Sequence, residues 1–108
     1  MRAIRLLSTL AIETSLRRLL PGFESVHGVT VATTFAPTMV LQQRISEGLR
    51  GDAVILTQGG IDALAGAGAL APGSIVPIFD SHVGLAVAPG AAQPDISSGA
   101  LLRDALLQ

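Results

Sequence analysis

The sequence predicts an α/β fold in which three layers, αβα, are built around a mainly parallel sheet. Three observations lead to this fold class. Short β-branched or apolar segments alternate with segments whose apolar residues recur at helical spacing. Strands separated in this way by helices pair in parallel, with helices on both faces of the sheet. The 108 residues, 49% of them apolar, are enough for one ordinary domain with a single core.

The first half of the chain contains two predicted strand–helix units. Residues 3–7 form the first strand. The helical stripe that begins at Ile12 is expected to end at Pro21, because proline interrupts the backbone hydrogen bonding of a helix. Residues 29–35 form the second strand because they are rich in β-branched side chains. Residues 38–49 form the second helix.

The second half contains three more predicted strands and two more helices. Residues 53–56 are apolar throughout, which is typical of a parallel strand covered on both faces. A helix rich in Gly and Ala follows over residues 61–67. Residues 75–79 and 83–88 are predicted strands, and residues 99–107 form a closing helix. The predicted order is therefore β-α-β-α-β-α-β-β-α.

Composition and charge exclude several classes of function. The net charge is -1 and 14% of the residues are charged, so the clustered basic residues that bind nucleic acid are missing. The sequence has no cysteine, which excludes disulfides and thiolate chemistry, and its two histidines lack metal-site spacing. We therefore expect no nucleic-acid partner, no metal and no cofactor.

Neither a membrane span nor a signal peptide is predicted. No apolar run approaches the roughly 18 residues that a span needs. Near the N-terminus, Glu13, Arg17 and Arg18 interrupt the apolar stretch too early for a signal peptide. On this ground alone, a cytoplasmic location stays open.

Three loops with neutral polar side chains follow the first three predicted strands. In an open α/β sheet, ligands bind beyond the carboxyl ends of the strands, where the N–H groups and dipoles of helix N-termini attract an anion. We therefore predict a small anion that is held by hydrogen bonds without a salt bridge. Taken alone, Ser8, Thr9 and Thr38 also fit ordinary helix N-caps, so the prediction depends on the convergence of the loops. The candidate ligand-binding residues are Ser8, Thr9, Thr38 and Thr57.

Two patterns that suggest other chemistry are set aside. Residues 66–71 fit the spacing of a dinucleotide-binding fingerprint, but they follow a helix instead of a strand. Residues 80–82, Asp-Ser-His, have the composition of a hydrolase triad. Adjacent residues in one short connection do not readily aim at one reacting atom. We therefore expect that the chain is not an enzyme.

Five segments resemble the sequence motifs of a known family. Residues 23–31 follow the pattern FE-x-x-x-G-x-x-V, and residues 43–48 follow Q-x-I-x-x-G. Residues 52–56 resemble the family's D-V-x-x strand, and residues 83–90 and 94–97 resemble its crossover region with the signature PDI. In this order, over essentially the whole chain, they are similar to bacterial periplasmic solute-binding proteins, most closely the molybdate-binding branch.

The resemblance implies a type II periplasmic-binding-protein fold, in which two hinged α/β lobes close on a solute that is delivered to an ABC transporter. In the molybdate-binding branch, hydroxyls and backbone N–H groups at helix N-termini hold the oxyanion. Here those roles would fall to Ser8 or Thr9 and to Thr38. Residues 1–80 would form the N-terminal lobe. Residues 81–108 would form a crossover strand, a loop and the first helix of a second lobe that is absent or truncated.

The resemblance also implies a gap in the sheet. In the family, a strand from the returning C-terminal segment lies between the third and fourth strands of the first lobe. An unfilled strand position exposes unpaired backbone groups. We therefore expect a homodimer or a strand-swapped assembly in which residues 83–88 or a partner strand fills the gap.

Two alternative functions are open at this point. One is a cytoplasmic ligand-sensing module, which a fused DNA-binding or signalling domain would favour. The other is a truncated relative that acts as an interaction protein without binding a ligand, which a stop codon inside a longer ancestral reading frame would favour.

Overall fold

The computed structural model describes residues 2–82 and 84–108, and the chain divides into two compact units between Val76 and Pro77. Among the described residues, the first unit contains three strands, a 3₁₀ turn and three helices, and the second contains one helix. In chain order the elements are β1 (Arg2–Thr9), the 3₁₀ turn (Leu10–Ile12), α1 (Glu13–His27), β2 (Val29–Ala36), α2 (Thr38–Ser46), β3 (Ala53–Ile55), α3 (Gln58–Gly66) and α4 (Gly99–Leu106).

The sheet of the first unit is parallel and has the strand order β2-β1-β3. Along β1 and β2 the register runs from Arg2 beside Val29 to Thr9 beside Ala36. The shorter β3 pairs only with the end of β1, where Ser8 lies beside Ile55. The predicted α/β class with a mainly parallel sheet is confirmed.

The helices α1 and α2 lie on opposite faces of this sheet. The connection from β1 to β2 and the connection from β2 to β3 cross the sheet in opposite directions, so right-handed crossovers place their helices on opposite faces. Side chains agree with this assignment, because Leu41 of α2 packs on Ala36, whereas Arg17 of α1 lies over Phe35. Neighbouring residues of a strand point to opposite faces.

The core of the first unit lies between the sheet and α2. Leu7, Ala36 and Leu41 are buried together, and Leu41 is completely inaccessible to solvent. Half-buried side chains of α2, β3 and the adjoining loops surround them: Ile45, Leu49, Val54 and Leu56. The core therefore supports the carboxyl ends of the strands, where the candidate site was predicted.

The predicted end of the first helix at Pro21 is wrong, because α1 continues through this proline to His27. Proline removes a single N–H from the helical ladder. Beyond it, the ring of Phe23 lies 4.5 Å from the ring of His27, and the Glu24 side chain accepts a hydrogen bond from the N–H of Val31. Gly28 then ends the helix in the left-handed conformation that a residue without Cβ adopts readily. These interactions of the last turns stabilise the continuation.

The two predicted strands over residues 75–79 and 83–88 are not strands where the structure describes them, and Val83 lies outside the described residues. A strand is stable only when a neighbour takes its N–H and C=O groups. The composition of these segments suits a strand, but no described strand lies beside them. The prediction of strands here, which rested on composition alone, is therefore wrong.

Other helix boundaries differ by a few residues from the prediction. α2 ends at Ser46, before the expected position 49, and α3 begins at Gln58, before the expected position 61. The earlier start of α3 follows from its cap, because Thr57 accepts a hydrogen bond from the N–H of Gly60. Among the described residues, no helix is both long and apolar enough to cross a membrane.

The second unit contains α4 and irregular segments. The Ser98 hydroxyl oxygen caps α4 by accepting a hydrogen bond of 3.1 Å from the N–H of Leu101. Hydrogen bonds from the Ser97 hydroxyl and backbone N–H lower the pKa of the exposed Asp95 carboxyl. None of the described residues of this unit is buried, and only Ala105 is half-buried. The prediction that residues 81–108 begin a second lobe stays a prediction.

Candidate functional site

The carboxyl ends of the three strands bring the three predicted loops to one edge of the sheet. β1 ends at Thr9, β2 at Ala36 and β3 at Ile55, and all run in the same direction. The register places Thr9 beside Ala36 and Ser8 beside Ile55. The 3₁₀ turn, α2 and α3 begin within three residues of these ends. The geometry therefore gathers the candidate residues; their role in ligand binding stays a prediction.

Ser8 lies in the central strand and is completely buried. Its hydroxyl donates a hydrogen bond of 3.0 Å to the carbonyl oxygen of Thr9. A buried hydroxyl needs such a partner, since an unpaired one costs about 1–3 kcal/mol. Ser8 is thus satisfied within the chain, and it meets a solute only if its hydroxyl turns away from this carbonyl.

Thr9 and Thr57 are helix caps, whereas the N-cap interpretation of Thr38 is wrong because Pro37 occupies that position in α2. Thr9 Oγ1 accepts a hydrogen bond of 3.5 Å from the N–H of Ala11 in the 3₁₀ turn. Thr57 Oγ1 accepts one of 3.4 Å from the N–H of Gly60 in α3. Both distances exceed the usual range of roughly 2.7–3.2 Å for such bonds, so both caps are weak. Weak caps leave the N–H groups of these first turns available to a stronger acceptor.

Thr38 is the first residue of α2, and its hydroxyl is the least satisfied of the four. Its Oγ1 is buried and has no hydrogen-bond partner among the described residues. Thr33 Oγ1, within β2, is also buried and has no hydrogen-bond partner among the described residues. The two differ in place, because only Thr38 lies at a helix N-terminus. A hydroxyl there can donate to an anion that also interacts with the helix dipole.

The N-termini of α2 and α3 approach each other at Thr38 and Gly60. A Cβ added at Gly60 would lie 2.6 Å from Thr38 Cγ2 and 3.3 Å from Leu56 Cβ. Real Cβ atoms essentially never come as close as 2.6 Å. Glycine at this position therefore allows two positive helix ends to sit side by side. The sequence signal for this approach is the Gly59-Gly60 pair, which precedes the predicted helix over residues 61–67 and lies inside the observed α3.

A cation of α1, Arg17, lies near the end of β2. The Arg17 guanidinium lies 5.0 Å from the centroid of the Phe35 ring, one residue before the end of β2. Its Nε and Nη2 donate to Glu13 Oε2 at 2.9 and 2.7 Å. The Glu13 carboxylate thus offsets the charge of Arg17. Residues 2–82 and 84–108 contain no group of three or more metal-ligating side chains able to hold a metal ion.

Comparison with known proteins shows the relationship that this geometry suggests. A family model for bacterial extracellular solute-binding proteins matches residues 4–108. The chain belongs to this family. The chain is also similar to a curated protein from Pseudomonas sp named aconitate isomerase, with 29% identity over 100 residues. That match covers 88% of the chain and 38% of the curated protein, so the chain spans well under half the length of this relative.

The similarity to a named isomerase corrects the expectation that the chain is not an enzyme. That expectation rested on the lack of a catalytic constellation in the sequence. A relative that matches most of the chain is named for a catalytic activity, so the relatives of this solute-binding protein include an enzyme. The resemblance to solute-binding proteins is confirmed at the level of the family.

Proposed function

We propose that this chain binds a small anion, such as a molybdate-like oxyanion, at the carboxyl edge of its sheet. Membership of the extracellular solute-binding family supports a binding role and a periplasmic location. The observation that carries the proposal is the buried, unpartnered Oγ1 of Thr38 at the N-terminus of α2. An anion at this position would accept the hydrogen bond that the hydroxyl now lacks.

The helix N-termini supply the electrostatics for such a ligand. Each helix N-terminus carries about half a positive elementary charge and leaves backbone N–H groups without helical partners. Here α2 and α3 begin next to each other, and the 3₁₀ turn begins at the same sheet edge. Several N–H groups around one anion can replace a salt bridge, as in other phosphate and oxyanion sites.

The four hydroxyls divide into two roles in this proposal. Thr38 donates directly, because no bond within the described chain competes for its proton. Thr9 and Thr57 have long capping bonds, so the N–H groups of Ala11 and Gly60 can turn to an anion at small cost. Ser8 adds a donor only if it gives up its bond to the Thr9 carbonyl.

The proposed context is the solute-binding component of an ABC transporter, with the permease as a partner. Residues 1–80 then correspond to an N-terminal lobe and residues 81–108 to the start of a second lobe. We also propose that the chain self-associates, as a homodimer or a strand-swapped assembly. Among the described residues no strand lies beyond β3, which supports this part of the proposal.

A second candidate function is isomerisation of a carboxylic acid such as aconitate. The observation that favours it is the similarity to the protein named aconitate isomerase. Aconitate is itself an anion, so the same sheet edge would bind it through the same helix N-termini. The two candidates differ in whether the bound anion is released unchanged.

A thermal-shift measurement with a panel of anions tests both candidates. The panel contains molybdate, tungstate, sulfate, phosphate and aconitate. A ligand at 100 times its Kd stabilises the folded chain by about 2.7 kcal/mol, which gives a clear rise in Tm. Incubation with aconitate, followed by NMR of the solution, then shows whether the acid is converted. A flat response to all five anions would contradict the proposal.

Two matched variants locate the site. Thr38→Val removes the hydroxyl but keeps the methyl group beside Gly60, and it should abolish the ligand-dependent shift. Thr33→Val removes the other buried, unpartnered hydroxyl, which lies within β2. It should leave the shift unchanged. Equal responses of the two variants would place the anion elsewhere.

A further inference from the structure

A cation and an aromatic ring are held together near the carboxyl end of β2, on the face of the sheet that α1 covers. The Arg17 guanidinium lies 5.0 Å from the centroid of the Phe35 ring, and Phe35 is one residue before the end of β2. Glu13, the first residue of α1, accepts hydrogen bonds of 2.9 and 2.7 Å from Nε and Nη2 of Arg17. The ring and the carboxylate together fix the plane and the direction of the guanidinium.

One edge of this guanidinium is open to a second acceptor. A guanidinium has two edges that fit a carboxylate, one formed by Nε and Nη2 and the other by Nη1 and Nη2. Glu13 takes the first edge through a single oxygen. No group among the described residues accepts a hydrogen bond from Nη1, and the Arg17 side chain is 66% exposed. A carboxylate from solution can therefore bind Arg17 while the bond to Glu13 is kept.

The open edge lies near the proposed anion position at the N-terminus of α2. Phe35 and Thr38 are three residues apart, so their Cα atoms are separated by at most about 11 Å. A dicarboxylate of four to six carbons has this length once a hydrogen bond of about 2.8 Å is added at each end. The elements involved, α1, β2 and α2, all belong to the first unit.

We infer that the ligand best suited to this sheet edge is a dicarboxylate of four to six carbons. One carboxylate binds at Thr38 and the N-termini of α2 and α3, and the other binds the open edge of Arg17. This inference rests on the proposed anion site and specifies its ligand. A molybdate-like oxyanion makes only the first of these contacts, whereas a dicarboxylate makes both. If Arg17 and Glu13 were only an i, i+4 pair that stabilises α1, ligand affinity would not depend on Arg17.

Isothermal titration calorimetry with glutarate and its monomethyl ester tests the second contact. The two ligands share a skeleton and differ in one carboxylate. We expect the wild-type chain to bind glutarate about tenfold more tightly, the lower range for a hydrogen bond between charged groups because Arg17 is exposed. In Arg17→Met the ratio of the two Kd values should fall to about two or less. Arg18→Met, the control, removes the same charge from the neighbouring exposed position and should leave the ratio unchanged.

The ratio is measured within one variant, so a general loss of stability affects both ligands equally. Arg17→Lys keeps the charge without the planar edge and should also lower the ratio. A ratio that persists in both Arg17 variants, or equal Kd values in the wild-type chain, would overturn this inference and leave the anion site standing. Thr38→Val should weaken both ligands, because it removes the contact that they share. If neither ligand nor molybdate bound the wild-type chain, the proposed function would fail as well.

Discussion

The two units of the chain are both rich in apolar residues, yet they bury them very differently. Among the described residues, every buried hydrophobic side chain belongs to the first unit: Leu6, Leu7, Ala36, Leu41 and Leu64. In the second unit, Leu85, Val87, Leu101, Leu102 and Leu106 are all exposed by 38% or more. The first unit buries its side chains because it contains three paired strands, and a sheet gives helices a surface to pack on. Apolar composition alone therefore does not make a core.

The largest effect should come from truncating the centre of the first core. Leu41→Ala removes a completely buried side chain that packs on Leu7 and Ala36. We expect the free energy of unfolding to fall by about 2–5 kcal/mol in urea titrations. Leu102→Ala, in the second unit, should change it by no more than about 0.5 kcal/mol. Similar losses for both variants would mean that the second unit also has a core.

A smaller effect is expected where α2 and α3 approach each other. Gly60→Ala places a Cβ 2.6 Å from Thr38 Cγ2 and should lower the free energy of unfolding by about 1–3 kcal/mol. Gly59→Ala is the control, because nothing lies within 4 Å of its added Cβ. It should stabilise the helix by up to about 1 kcal/mol. Thr38→Ser removes the clashing methyl group and should partly rescue Gly60→Ala, which urea titration of the double variant would show.

Removing the protection of the β2 edge should have an effect of about 1 kcal/mol. Glu24→Ala leaves the N–H of Val31 without its charged acceptor. We expect a modest fall in the free energy of unfolding, together with stronger self-association in sedimentation experiments. The control is Glu47→Ala, which removes only an exposed bond of 3.2 Å to Gln43 and should cost at most about 0.5 kcal/mol. An unchanged association constant for Glu24→Ala would show that this carboxylate does not protect the edge.

The smallest global effect should come from the cap of α4. Ser98→Ala removes the acceptor for the N–H of Leu101 and weakens the helix locally by about 1 kcal/mol. Hydrogen exchange of the α4 amides should accelerate, while the midpoint of global unfolding stays unchanged, because α4 has no buried residue. Thr57→Ala removes the longer, 3.4 Å cap of α3, but α3 contains buried Gly60 and Leu64, so it should still lower that midpoint slightly. Equal shifts of the unfolding midpoint for the two variants would contradict the difference in packing between the two units.

Much of the candidate site was predictable from its residues. Ser8, Thr9, Thr38 and Thr57 follow three strands that the hydrophobic pattern identifies, and parallel pairing brings their loops to one edge. What each hydroxyl does there was not predictable. The bond of Ser8 to the neighbouring carbonyl is local, but the burial of Ser8 and of the unpartnered Thr38 oxygen depends on packing between segments distant in sequence.

The sequence by itself determined the α/β class, the order of elements in the first unit and the family relationship. These follow from local periodicity, from the fixed hand of crossover connections and from motifs along the chain. Only the tertiary structure decided that α1 passes through Pro21, that Arg17 lies over Phe35 and that the described part of residues 75–88 forms no strand. The physical reason is the same in each case. A helix past a proline, a stacked cation and a strand are each stabilised by partners outside the local sequence, so local preference cannot settle them.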